Sequence, residues 1–187
     1  MIQAEKAFEL LASQVTDELV VTGIAWQCGS WYKAKHRPEN LYMRGPMGLA
    51  PSVGLGIALA RPERQIICIE GDGSMVMGLS SLAAIAQAAP SNYLIVIMDN
   101  GTYEAGGKGT TCNAGSTDFV AVAKGMGIQF TWSARSGEEL TSALEQALKF
   151  QGLGFLHVAI SGRSEAFNAP KLKPDEMKIQ FLEVFKN

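Results

Sequence analysis

Gly71-Asp72-Gly73-Ser74 lies between two segments of opposite character, and Asn100-Gly101-Thr102 closes the next apolar run downstream. Residues 65–70 are short and apolar, as in a buried strand, whereas residues 74–89 are alanine-rich and predict one helix. A strand therefore feeds a helix through a glycine turn. Backbone N–H groups opening such a helix face any anion at the strand's end, and glycine lets the main chain approach a diphosphate closely. A carboxylate at the same turn would repel that anion unless a cation stood between them, so Asp72 argues for a metal together with a phosphate. Magnesium suits the place, because it takes an octahedral shell of hard oxygens, commonly from side chains, phosphate and water. Asn100 offers a second side-chain oxygen at the end of the apolar run 93–98. Two such strand ends converge at the carboxyl edge of a parallel sheet, where α/β proteins bind ligands.

A dinucleotide fingerprint does not fit, because Gly71-Asp72-Gly73-Ser74-Met75-Val76 lacks a third glycine and puts an acid where a pyrophosphate would pass. The paired motifs instead resemble the diphosphate-binding domain of thiamine diphosphate enzymes, especially the 2-oxoacid decarboxylases, over roughly residues 20–160. The resemblance implies that Asp72, Asn100 and the backbone carbonyl of Thr102 bind Mg2+. It implies also that Gly73 and Ser74 hold the diphosphate, with Gly71 and Tyr103 beside them in the cofactor-binding set. Upstream, Arg44-Gly45-Pro46-Met47-Gly48 resembles the segment that cradles the organic part of the cofactor. There the Gly45 carbonyl would accept from the aminopyrimidine amine, and Met47 would be the apolar fulcrum that bends the cofactor. Without the resemblance, the glycine turn serves strand-to-helix geometry alone and Met47 is a core methionine.

In this family the glutamate that activates the cofactor comes from a second, pyrimidine-binding domain, and only the diphosphate half is expected here. The resemblance thus implies a β subunit of a split decarboxylase whose α subunit brings that glutamate into a hetero-oligomer, with sites between the chains. Tyr103-Glu104-Ala105-Gly106-Gly107-Lys108 resembles the loop of sulfopyruvate and phosphonopyruvate decarboxylases, which implies an acidic 2-oxo acid converted to an aldehyde and CO2. Glu104 either relays protons or faces solvent, and Lys108 either meets a sulfonate or phosphonate or is simply solvated. Arg44 departs from the apolar residue usual at its position and is a candidate for pairing with an acidic substrate. Three other readings stay open: a phosphonopyruvate decarboxylase-like enzyme, an acetolactate synthase-like carboligase, and a non-catalytic thiamine diphosphate-binding module.

The elements that must position these residues follow from the whole chain. With 187 residues and 47% hydrophobic content, one domain over 1–187 is expected, with a helical extension over 170–187. The expected class is α/β: a three-layer domain with a central, mainly parallel sheet and helices on both faces. Helices are predicted over 4–14, 47–60, 118–126, 138–150 and 175–185, and strands over 18–24, 129–133 and 155–160. Ser136-Gly137 is a reasonable helix cap, and Arg61-Pro62 a helix end.

A net charge of −2 without basic blocks leaves no nucleic-acid footprint. Charged residues at Glu5, Lys6 and Glu9, and the lack of a long apolar run, argue against a signal or a membrane span and for the cytoplasm. Cys28, Cys68 and Cys112 are far apart and form no cluster motif. His36 in its basic segment is expected at the surface, and His157 in an apolar strand is expected to be structural. Trp26, Trp31 and Tyr32 either line the pocket or pack against a partner.

Overall fold

The computed structural model describes residues 1–104, 109–162 and 171–185. The chain begins with β1 (Ile2–Gln3), α1 (Ala4–Gln14), β2 (Leu19–Thr22), α2 (Trp26–Lys35) and β3 (Asn40–Tyr42). It continues through α3 (Ala50–Ala60), β4 (Ile66–Gly71), α4 (Asp72–Met77), α5 (Ser81–Ala88) and β5 (Asn92–Asp99). The remaining elements are α6 (Phe119–Gly125), β6 (Phe130–Ala134), α7 (Gly137–Lys149), β7 (Gly152–Ser161) and α8 (Pro174–Glu183).

Seven strands form one sheet in the order β1-β7-β5-β4-β2-β3, with β6 also paired to β7. Every ladder is parallel. β6 and β1 take successive stretches of β7, Phe130 opposite Gly154 and then Ile2 opposite Ile160. Strand side chains alternate between faces, and the two cores separate accordingly. Ile67, Ile69, Leu94, Val96 and Met98 pack under α1, α2 and α7. Ile66, Cys68, Tyr93, Ile95 and Ile97 pack under α3, α5 and α6 on the other face. The sheet is thus buried on both sides, which is why β4 and β5 carry continuous apolar runs rather than an alternating pattern.

α8 lies beside β3. Its Met177 joins the first core and its Phe181 the second, so the helix covers the sheet's flank at the β3 edge, a place that otherwise exposes unpaired backbone. Arg61 stacks over Phe185 at 4.3 Å.

Three features differ from expectation. The helix predicted over 74–89 is two helices, α4 and α5, separated at Gly78. Gly78 packs directly on Gly48: a Cβ at Gly78 would lie 2.2 Å from the Gly48 carbonyl oxygen. The helix predicted from residue 47 starts at Ala50, because Gly48 has φ +81° and belongs to a turn. α2 and β3 were not expected at all. Trp26 through Trp31 are all buried, so α2 has no polar stripe and no helical period in its first turns. The cap at Ser136 matches expectation: its Oγ accepts from Glu139 N (3.2 Å) and Glu139 Oε2 accepts from Ser136 N (3.3 Å).

Candidate active site

Gly71 at the end of β4 pairs with Met98 of β5, so Asp72 and Asn100 follow from adjacent strand ends. A cleft is lined by Met47, Gly71, Asp72, Gly73 and Ser74 together with Thr102, Tyr103 and Glu104, whereas Asn100 lines a neighbouring cavity with Asp99, Gly101 and His157. The fourth wall is the turn after β2, where Ala25 holds φ +62°, a backbone strain uncommon outside glycine. Gln27 from that turn lies against Gly71. With its amide oriented to match its neighbours, it donates to Ile24 O (2.6 Å) and accepts from Trp26 Nε1 (2.9 Å).

Asp72 is only 2% exposed. Thr111 Oγ1 and Asn113 Nδ2 both donate to its Oδ2, at 2.8 and 3.0 Å. Burial pushes the Asp72 carboxyl above its ordinary pKa; Asn113 and Thr111 oppose that shift, and the neighbouring charge of Asp99 adds to it. Among the described residues the side chains that donate to Asp72 are neutral, so a buried carboxylate beside Asp99 stands in the electrostatic setting that a divalent cation relieves. The donors on hand are carboxylate, amide and backbone carbonyl oxygens, the chemistry that Mg2+ prefers. On these grounds the residues fit the cation.

The Asn100 loop is folded on itself. Thr102 N donates to Asn100 Oδ1 (3.0 Å), and Asn100 Nδ2 donates to Glu104 Oε1 (3.0 Å). Thr102 bridges Thr110 in antiparallel fashion, and Tyr103 N donates to Gly109 O (2.8 Å). The Tyr103 ring lies over Gly73, with Cε1 2.4 Å from where a Cβ would stand, and its hydroxyl is 3.5 Å from Cys112 Sγ. Glycine at 73 is what lets the ring lie there.

Ser74 does not simply face an anion. Its Oγ accepts from Gly48 N (3.0 Å), which ties the cradle segment to the glycine turn. Glu70, just before the turn, is 1% exposed and accepts from Gly71 N at 3.0 Å. Burial pushes its carboxyl up to about 7, against the pull of Gly71, Ser74 and Ala50. Gly23 leaves room for it, since a Cβ there would fall 2.1 Å from Glu70 Oε1. Sequence reasoning missed Gln27, Glu70, Thr111 and Asn113. Glu70 was legible as an acid ending an apolar strand, whereas the other three carry no periodic or motif signal.

Met47 is half-buried and lines the cleft. If it supports a bent cofactor, Met47→Gly will lower turnover more than it lowers cofactor affinity. A core methionine would instead cost mainly stability, about 2–5 kcal/mol. Turnover compared with melting temperature separates the two outcomes.

The other candidates are placed less centrally. Gly45, with φ +121°, is exposed. Arg44 is exposed as well and donates to Leu172 O at 3.0 Å, which ties it to the segment before α8. Lys108 lies outside the described residues. His36 Nδ1 is 3.0 Å from the Tyr42 hydroxyl, and His36 stays away from the cleft. His157 Nε2 is 2.9 Å from Asp99 Oδ2 and its ring stacks on Phe119, so it steadies the strand end that precedes Asn100. Trp26 and Trp31 are buried in the core under α1, Trp26 edge-on to Phe8 at 5.6 Å; Tyr32 packs against that core. Trp26 also reaches the cleft wall.

Residues 22–158 match the family model described as thiamine pyrophosphate enzyme, C-terminal TPP binding domain. Sulfopyruvate decarboxylase of Methanosarcina acetivorans is 38% identical over 174 residues, which cover 92% of this chain and 44% of that protein. This chain therefore spans less than half of that relative's length. The sulfopyruvate decarboxylase subunit beta of Methanocaldococcus jannaschii is 35% identical over 169 residues, 90% of this chain and 89% of the relative. In fold, the chain is similar to the benzoylformate decarboxylase of Polynucleobacter necessarius, with TM-score 0.72 and 18% identity over 84% of this chain and 33% of that one.

Proposed function

Because the chain belongs to the thiamine diphosphate enzyme family, we propose that it is the β subunit of a split, Mg2+-dependent decarboxylase acting on an acidic 2-oxo acid. The single observation that carries this reading is the convergence of Asp72, Met47 and the loop residues Thr102, Tyr103 and Glu104 on one cleft at the carboxyl ends of β4 and β5. The near-complete mutual coverage with a relative named as a β subunit supports the division into two chains. We take the α subunit to be a pyrimidine-domain chain that contributes the activating glutamate.

When bound, thiamine diphosphate supplies the carbon nucleophile and the electron sink for loss of CO2. This chain's part is to anchor and to exclude water. Asp72, Asn100 and the Thr102 carbonyl would hold the cation, and the Gly73-Ser74 turn would meet the diphosphate. Met47 would support the organic part of the cofactor, and Tyr103 with Glu104 lines the cleft from the loop side. Preference for a second anionic group on the substrate rests on the loop resemblance and on the relatives' printed activity rather than on Arg44, which is engaged with Leu172.

The test is CO2 release from pyruvate, sulfopyruvate, phosphonopyruvate and a neutral aromatic 2-oxo acid, with each chain alone and with both together. The expected result is no turnover by either chain alone and turnover by the pair with the sulfonate or phosphonate substrate. Full activity from this chain by itself would overturn the split site. Preference for the neutral aromatic acid would overturn the substrate class and leave the cofactor assignment standing.

A further inference from the structure

The loop that carries Asn100 and Thr102 returns to Asp72 through two residues for which the family resemblance supplies no role. Thr111 N donates to Gly101 O at 2.9 Å, and the segment after the Thr102–Thr110 bridge brings Thr111 Oγ1 and Asn113 Nδ2 onto one oxygen of Asp72. Both residues are 3% exposed. Asn113 uses half of its amide in this contact. Its Oδ1 is buried and has no hydrogen-bond partner among the described residues. Buried amide oxygens are almost always satisfied, and one left bare has a cause to be found. Here it stands beside a carboxylate, which offers it no proton.

We propose that Thr111 and Asn113 complete the divalent-cation site: Thr111 fixes the Asp72 carboxylate through Oδ2, and Asn113 presents Oδ1 to the hydrated cation held at Asp72. The inference rests on the cofactor reading above and extends it to residues outside the Asp72-Asn100-Thr102 set. A neutral amide suits this position. Asp72 already feels the charge of Asp99, and a third carboxylate would add repulsion, whereas an amide oxygen can ligate magnesium or accept from a water in its shell without adding charge. Thr111 is a positioning residue, since its hydroxyl acts on the metal only through Asp72. Outer partners of this kind fix a ligand's orientation and sustain metal affinity.

The test uses the complex of this chain with its α subunit, with thiamine diphosphate and Mn2+ in place of Mg2+. Free Mn2+ is counted by electron paramagnetic resonance, and melting is followed with and without Mn2+ and cofactor. Asn113→Ala is expected to weaken Mn2+ binding about 10–100-fold, and Thr111→Val about tenfold, with Thr111→Ser close to wild type. The Mn2+-dependent rise in melting temperature should shrink in the first two variants and survive in the third. If wild type binds Mn2+ with the cofactor and Asn113→Ala binds it equally, the inference is wrong while the cofactor reading stands. An equal fall in melting temperature with and without Mn2+ and cofactor would make Asn113 a loop-fastening residue only, again against the inference. A wild-type complex that takes up no Mn2+ in the presence of thiamine diphosphate would overturn the cofactor reading and this inference together.

Discussion

Asp72→Ala will abolish Mg2+-dependent binding of thiamine diphosphate and leave a folded chain. The side chain opens α4 and belongs to neither core cluster, so on the proposed reading its removal takes away an anionic ligand and little apolar packing. Thr111 Oγ1 and Asn113 Nδ2 lose their shared acceptor, and each unmet donor costs about 1–3 kcal/mol unless water enters. Relief of a buried charge whose pKa is raised by burial offsets part of that loss. Stability should therefore move modestly while cofactor affinity falls by more than about 100-fold, beyond the effect typical of outer partners. Asp72→Asn is the control that keeps volume and one oxygen. Calorimetric titration of each protein, paired with its α subunit, with thiamine diphosphate and Mg2+, alongside melting curves, reads both quantities. Equal affinity in the alanine variant would remove Asp72 from the metal site.

The second large effect is expected at Gly78, which no sequence motif singles out. A Cβ there would stand 2.2 Å from the Gly48 carbonyl oxygen and 2.9 Å from the Gly48 carbonyl carbon and Cα. These are backbone atoms of the next residue after Met47, and they cannot swing aside as a side chain can. Gly78→Ala must push the 47–49 turn away from α4, lengthening the Gly48 N to Ser74 Oγ bond as it does so. Overpacking of this kind costs about 1–3 kcal/mol, or several degrees in melting temperature for a chain of this size. Cofactor affinity should fall as well, because Met47 shifts with the turn. Gly56→Ala is the matched control. It lies exposed within α3 with nothing near its would-be Cβ, so it should stabilise by roughly 0.5–1 kcal/mol. A Gly78→Ala protein that melts and binds cofactor like wild type would mean that the two glycine backbones are not pressed together.

The sequence was most informative where a signal is local. α1 begins and ends where its helical spacing says, because one turn after another repeats the same apolar stripe. The capping box at Ser136 is written in four consecutive positions. β4 and β5 are apolar throughout, as strands buried on both faces must be. The Asp72 and Asn100 motifs were likewise legible, since each is a short string with a chemical reason for its residue types.

What the sequence by itself determined is therefore the set of local conformers, the α/β alternation, and the hard-oxygen donors at two strand ends. Tertiary structure decided the rest. The break of the 74–89 segment into α4 and α5 arises from contact with Gly48, and the burial of α2 from the layer above it. Arg44 is drawn to Leu172 by a contact between residues far apart in the chain. Thr111 and Asn113 reach Asp72 only because Thr110 bridges back to Thr102 at the neighbouring strand end. A hydrogen bond across such a distance in sequence has no periodicity to announce it. It exists only once the sheet has fixed where each strand ends.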